Sequence, residues 1–250
     1  MSHSETTGTK IEWMKKSVAE LMGEIRARLE AFESRLPARI NAMDVSPTSK
    51  LPYKVLLYRE ALIWRIVELG RAAFENFTTD KLVSGIVLTR AAVETSAALW
   101  YLCAKVAGVV DSGTIADVDE YLMKMVMGTA TDAPQPAART GDVKLPRPVK
   151  VDAFLKQAEK DGVEGFSYQY GILSEYAHPN WAGTGLLYSK HDKENRTTDF
   201  GQNIRKAENT KLVGVANLSV ALLMFEKSYD RIRDLLPAFT ELSESPLKSV

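Results

Sequence analysis

The chain has 250 residues, 45% of them hydrophobic and 26% charged, an ordinary globular composition and enough length for one large domain. Its 32 basic and 32 acidic residues cancel, which argues against nucleic-acid binding by bulk electrostatics and leaves room only for a local basic patch. The single cysteine, Cys103, lies in the apolar run Ala97–Val110; it excludes an internal disulfide, reads as a small buried hydrophobe and suits a reducing, cytoplasmic setting.

The polar opening MSHSETTGTK has no apolar core, so no signal peptide is expected. From about Lys10 to Leu36, Ile11, Met14, Val18, Leu21, Ile25, Leu29, Phe32 and Leu36 recur at three- and four-residue steps. This pattern predicts an amphipathic helix with a narrow apolar stripe, which either docks on the protein's own core or serves as a homodimer seam through residues 10–36. Pro37, Pro47 and Pro52 punctuate the connector that follows. Residues 1–50 thus form a helix and connector, and 51–240 a helical bundle domain.

A second helix is predicted from about Pro52 to Asn76, with Tyr53, Leu56, Leu57, Ala61, Trp64, Val67 and Phe74 as its apolar face and Arg71 and Glu75 as an exposed pair. Thr78, Thr79 and Asp80 read as an N-cap cluster for a third helix, about Asp80 to Val110, apolar on nearly all sides and therefore central. A shorter helix is expected over about Ile115 to Met127, then a long proline-rich loop from Gly128 to Lys150. Helices over about Val151 to Lys160 and Gly165 to Ala177 follow, the second stopped by Pro179. A second long loop, Pro179 to Gly201, has Leu186–Ser189 and Thr197–Phe200 as hairpin candidates, and a last helix runs from about Gln202 to Leu236. The result is an all-α bundle of six or seven helices with two long loops. The uncharged run Leu212–Phe225 is too short to span a bilayer, and Leu82–Thr89 is cut by Arg90 and Glu94, so no membrane span is expected.

Two places in this pattern hold chemistry. Arg90 and Glu94 lie four apart on one helix face, with Tyr101 on the same projection, in a background of Ile86, Val87, Leu88, Ala91, Ala92 and Val93. Charges there should be substantially buried, either as an ion pair that fixes helix packing or as a polar site. The second place is Tyr170, Ser174 and His178, spaced four apart along one face, with Asn180 just beyond. His178 falls in the last turn, where exposed carbonyls favour an imidazolium, beside a long loop. It is a general acid–base candidate, or else it locks the helix end. Ser174 is mid-helix with no strained elbow, so a Ser–His nucleophile is disfavoured. His3, His178 and His191 offer no paired ligand spacing, so no metal is expected. No phosphate-binding glycine loop suggests a cofactor, and aromatic residues do not interleave with a basic stripe.

The R-x-x-x-E helix around Arg90 and Glu94, followed later by the L-S-x-x-x-H-P turn ending at His178 and Pro179, resembles bacterial helical families allied to the HEPN-like group. The resemblance covers roughly residues 50–235. It implies a helical bundle, often dimeric, and for many members a metal-independent ribonuclease of toxin–antitoxin or phage-defence systems, acting on RNA or a related nucleotide ligand. The nuclease members carry an arginine four to six residues before the catalytic histidine, whereas Gly171 to Leu173 hold none. Arg90 would then have to supply the guanidinium from another helix. On this reading His178 is the acid–base, Arg90 the phosphate contact and Glu94 its orienter, with Tyr101, Tyr170, Ser174 and Asn180 as ligand-binding residues. The competing reading is a non-enzymatic interaction protein in which the same residues are structural.

Overall fold

The computed structural model describes residues 16–115, 117–130, 145–205 and 207–245. Among them the chain forms α1 (Val18–Glu33), α2 (Ala42–Val45), α3 (Leu51–Thr78), α4 (Leu82–Ser112), α5 (Val118–Met127), α6 (Val151–Lys160), α7 (Phe166–Ala177), α8 (Gly185–Tyr188), β1 (Ser189–Asp192), β2 (Thr197–Phe200) and α9 (Glu208–Glu244). The fold is helical apart from one two-stranded hairpin. Among the described residues there are nine helices, of which α2 and α8 are single turns, too short to show a periodicity.

Helix α4 is the axis. It packs against α3, α6, α7 and α9, while α9 also runs along α1 and α3. The crossing of α3, α4 and α9 is built around the fully buried ring of Phe77. A Cβ at Gly85 would approach that ring to 2.6 Å and one at Gly214 to 2.5 Å, so both helices need glycine where they press on it. Helix α1 begins with a capping box in which Ser17 and Glu20 satisfy each other's backbone N–H. Its stripe of Leu21, Ile25, Leu29 and Phe32 is buried in the chain's own core; Ile11 and Met14 lie outside the described residues. Arg28 pairs with Glu226 at 2.8 Å and ties α1 to α9.

Several sequence expectations shift. Arg71 does not pair with Glu75: its Nε and Nη2 donate to both oxygens of Glu33, at 2.5 and 2.7 Å, because a fork-shaped cation matches one carboxylate face-on better than a neighbour along its own helix. The pairing holds the Glu33 carboxyl below its usual range, chiefly through the hydrogen bond from Arg71. Thr78, Thr79 and Asp80 do not cap α4. They close α3, with the Lys81 N–H donating to the Asn76 carbonyl at 2.8 Å and the Asp80 N–H to Phe77 at 3.3 Å. This is a Schellman closure with Asp80, at φ 56°, where glycine is usual. The first strand is displaced towards the C-terminus, with Ser189 opposite Phe200 and Asp192 opposite Thr197, because residues 185–188 close a helical turn first. Helix α9 continues through Pro237 to Glu244; the full burial of Phe239 outweighs the one backbone bond that proline removes.

The apolar face of α3 agrees with the expected one at Val67 and Phe74, both buried, and departs from it elsewhere. Trp64 is exposed and Ala61 faces solvent, whereas Val55, Leu62, Ile63, Ile66, Ala73 and Phe77 point inward. Arg59 and Glu60 lie on that inner face. By length and composition alone both α4 and α9 are apolar enough to cross a membrane, and more than half of each one's most apolar window is buried inside the bundle.

Candidate functional site

Helices α4 and α7 bring four of the residues singled out above into contact. Arg90 Nε donates to Ser174 Oγ at 3.0 Å, and Nη2 donates to the Tyr170 hydroxyl at 2.5 Å. The hydroxyl in turn donates to Glu94 Oε1 at 2.6 Å. Arg90 Nη2 also lies 3.2 Å from that carboxylate oxygen, completing a triangle of guanidinium, phenol and carboxylate. Ser174 passes its own proton to the Tyr170 carbonyl at 2.9 Å, so its oxygen is left to accept from Arg90. The guanidinium carbon sits 4.9 Å from the centre of the Tyr170 ring, within range of cation–π attraction.

The cluster forms because both helices repeat at the same step. Arg90 and Glu94 are one turn apart on α4, and Tyr170 and Ser174 one turn apart on α7, so two adjacent turns of each helix interlock. Burial is less than expected: the side chains of Arg90 and Glu94 keep 33% and 28% of their accessible surface. Nη1 of Arg90 has no hydrogen-bond partner among the described residues. Partial burial, reinforced by the hydrogen bond to Glu94, raises the Tyr170 phenol above its ordinary value, so it stays neutral.

The other candidates stand apart from this triangle. His178 is the C-cap of α7, with φ −85° and ψ 149°, one position beyond the helix; the proline after it forces the extended backbone. Its N–H donates to the Ser174 carbonyl at 3.1 Å. The side chain is exposed, and among the described residues it makes no hydrogen bond to the Arg90 cluster. Gly171, one turn before Ser174, has open space where a Cβ would be. Tyr101 is buried against Phe154, ring centres 5.3 Å apart, with Lys105 over its ring; burial raises its phenol. Asn180 organises the turn after α7: its Oδ1 accepts from the N–H of Ala182 and Gly183, and its amide donates to Glu175. Cys103 is buried, and its thiol is pushed up to about 11. Among the described residues no three His, Cys, Asp or Glu side chains are arranged to hold a metal ion.

A second charged cluster was not anticipated. Arg59 Nε donates to the Tyr229 carbonyl at 3.1 Å, Arg59 pairs with Glu60, and the Tyr229 hydroxyl donates to Glu60 Oε2 at 2.7 Å. The Arg59 guanidinium carbon lies 3.5 Å from the centre of the Tyr229 ring. The sequence carries a signal for it: positions 55, 59, 62, 63, 66, 70, 73 and 77 follow the helical step and place Arg59 on the inner face. Comparison with family models, with curated proteins and with solved structures finds no match for this chain.

Proposed function

We propose that this chain is a HEPN-like helical protein that binds RNA or a nucleotide-like ligand, with Arg90 as the phosphate contact. The observation that carries this reading is the incomplete pairing of Arg90. Two of its nitrogens are held by Ser174 and Tyr170, while a third of the side chain remains open to solvent. A guanidinium fixed in orientation with donors to spare is suited to a phosphate oxygen. Glu94 and Tyr170 orient it. In the catalytic form of this reading, His178 takes the proton of the ribose 2′-hydroxyl, whose oxygen attacks the adjacent phosphorus and displaces the 5′-oxygen, which takes a proton from solvent, while Arg90 stabilises the charge developing on the phosphate. The setting that the family resemblance suggests is bacterial defence or stress.

The test is titration of a 5′-phosphorylated RNA oligonucleotide by fluorescence anisotropy, with cleavage followed on a gel. Arg90→Ala is expected to weaken binding about tenfold, the loss of one charge-assisted contact, and His178→Ala to abolish cleavage with an unchanged melting temperature. Equal RNA affinity in wild type and Arg90→Ala would refute the reading. A second reading, an interaction protein in which the cluster only clamps α4 to α7, draws on the way Glu94, Tyr170 and Ser174 already satisfy one another. It predicts that Arg90→Ala lowers the melting temperature and changes nothing else.

A further inference from the structure

The turn after α7, the hairpin and the segment leading into α9 meet in a way that the Arg90 cluster does not use. The Nε of Arg205 donates to the Ser189 carbonyl at 2.7 Å, fixing the side chain against the start of β1. Its guanidinium carbon lies 5.5 Å from the centre of the Trp181 ring. The indole rests over Gly185, where a Cβ would come within 2.3 Å of two ring carbons, so this turn admits the ring only because residue 185 is glycine. Asn180 holds the same turn from the other side. The ring anchored this way is 62% exposed.

Beside it an open hollow of about 490 Å³ is lined by Lys190, His191, Ile204 and Arg205. Two permanent cations, Lys190 and Arg205, therefore border it from two chain segments, with Ile204 as an apolar wall; His191, next along β1 and so on the opposite strand face, has its Nδ1 3.1 Å from the Thr198 hydroxyl. Among the described residues neither Lys190 nor Arg205 forms an ion pair. The carboxylate of Asp192 is occupied by the N–H groups of Glu194 and Asn195 and by the Asn195 amide. Asp199 faces Lys190 across the hairpin without pairing with it. Unpaired cations around a hollow of this size, next to a presented indole, match the two ends of a nucleotide: phosphate oxygens for the cations, a base for the ring.

We propose that this hollow is a second anion site, separate from the Arg90 cluster, that takes a phosphate carried on an aromatic base. Lys190 and Arg205 contact the phosphate, and the base stacks on Trp181. The same chemistry is offered by a free nucleotide and by the end of an RNA strand. The test uses ADP and a hexa-adenylate oligonucleotide, read by quenching of tryptophan fluorescence in the full chain. Four tryptophans contribute to the emission, so the signal assigned to this hollow is the part lost in Trp181→Phe, and it is required to persist in Arg90→Ala.

The expected result is saturable quenching by ADP that vanishes in Trp181→Phe, is competed by pyrophosphate, and shifts to about tenfold higher concentration in Lys190→Gln, one charge-assisted contact being lost. Lys190 makes no side-chain hydrogen bond among the described residues, so that variant tests the site without disturbing the hairpin; Arg205→Gln is its partner. Hexa-adenylate binding at least about tenfold tighter than ADP, with the same dependence on Lys190, identifies a strand end; equal or weaker binding identifies a free nucleotide. Absence of saturable quenching by either ligand, or unchanged affinity in Lys190→Gln, overturns the proposal.

Discussion

The protein builds the same three-part arrangement twice. In one copy Arg59, Glu60 and Tyr229 join α3 to α9; in the other Arg90, Glu94 and Tyr170 join α4 to α7. Each has an arginine over a tyrosine ring, the tyrosine hydroxyl donating to a glutamate, and the glutamate paired with the arginine. They differ in burial. The side chains of Arg59 and Glu60 retain only 8% and 11% of their surface, against 33% and 28% for Arg90 and Glu94. The same three side-chain types therefore sit in two environments. Sealed inside the bundle, the Arg59 and Glu60 charges are shielded from water, Arg35 and Arg233 being further charges that act on Arg59, and neither partner can be removed without stranding the other. At the rim, water shares the load, and the arginine keeps capacity for something arriving from outside.

The contrast is broken most forcefully by neutralising one carboxylate in each copy. Glu60→Gln leaves the Arg59 guanidinium in the core without a counter-charge, and is expected to lower unfolding stability by about 3–5 kcal/mol in urea titration. Glu94→Gln, where solvent screens both partners, is expected to change it by no more than about 1 kcal/mol. Equal losses would show that the two clusters share one structural role and would remove the distinction that favours Arg90 as a ligand contact.

Alkaline titration gives a smaller effect on the same axis. Burial, with the hydrogen bond to Glu60, pushes the Tyr229 phenol up to about 12 from an ordinary value of 10.0. The folded chain thus keeps a proton that the unfolded chain releases, so the stability linked to this group is intact below pH 10 and is lost as the pH rises towards 12. Other phenols and lysines titrate in that window. The measurement is therefore the difference between wild type and Tyr229→Phe, followed by circular dichroism in urea at pH 9 and pH 12. The gap between the two proteins is expected to narrow at the higher pH.

Much of this architecture could be read along the chain. The bounds of α6, the break before Pro179 and the central position of α4 follow from periodicity and proline placement. So did the sharing of one α4 face by Arg90 and Glu94 and of one α7 face by Tyr170 and Ser174. What periodicity cannot carry is which face meets which. That α4 and α7 dock with these faces together is a tertiary fact, as is Arg71 choosing Glu33 across helices over Glu75 on its own. Single turns such as α8 leave no repeat to detect, which is why the hairpin slipped by three residues. The Arg59–Glu60 pair is the opposite case: the helical step around it is clear and puts Arg59 inward, but which tyrosine meets it from α9 is again a tertiary fact. The gathering of Trp181, Lys190 and Arg205 joins loop positions, where no period exists.

The finest separation comes from the two hydroxyls. Tyr229→Phe strips a buried carboxylate of a donor and is expected to reduce stability by about 1–3 kcal/mol. Tyr170→Phe removes the same bond at a half-exposed site, where water replaces the donor, and should cost about 1 kcal/mol or less in the same denaturation experiment. Its more informative consequence concerns Arg90. Without the phenol, Nη2 loses its oriented partner, and the guanidinium is steered only by Ser174 and Glu94. If Tyr170 presents Arg90 to a phosphate, RNA affinity falls in Tyr170→Phe although the fold is nearly unaffected. If the hydroxyl merely satisfies Glu94, affinity stays level while stability slips, and the rim cluster is then a weaker version of the buried one.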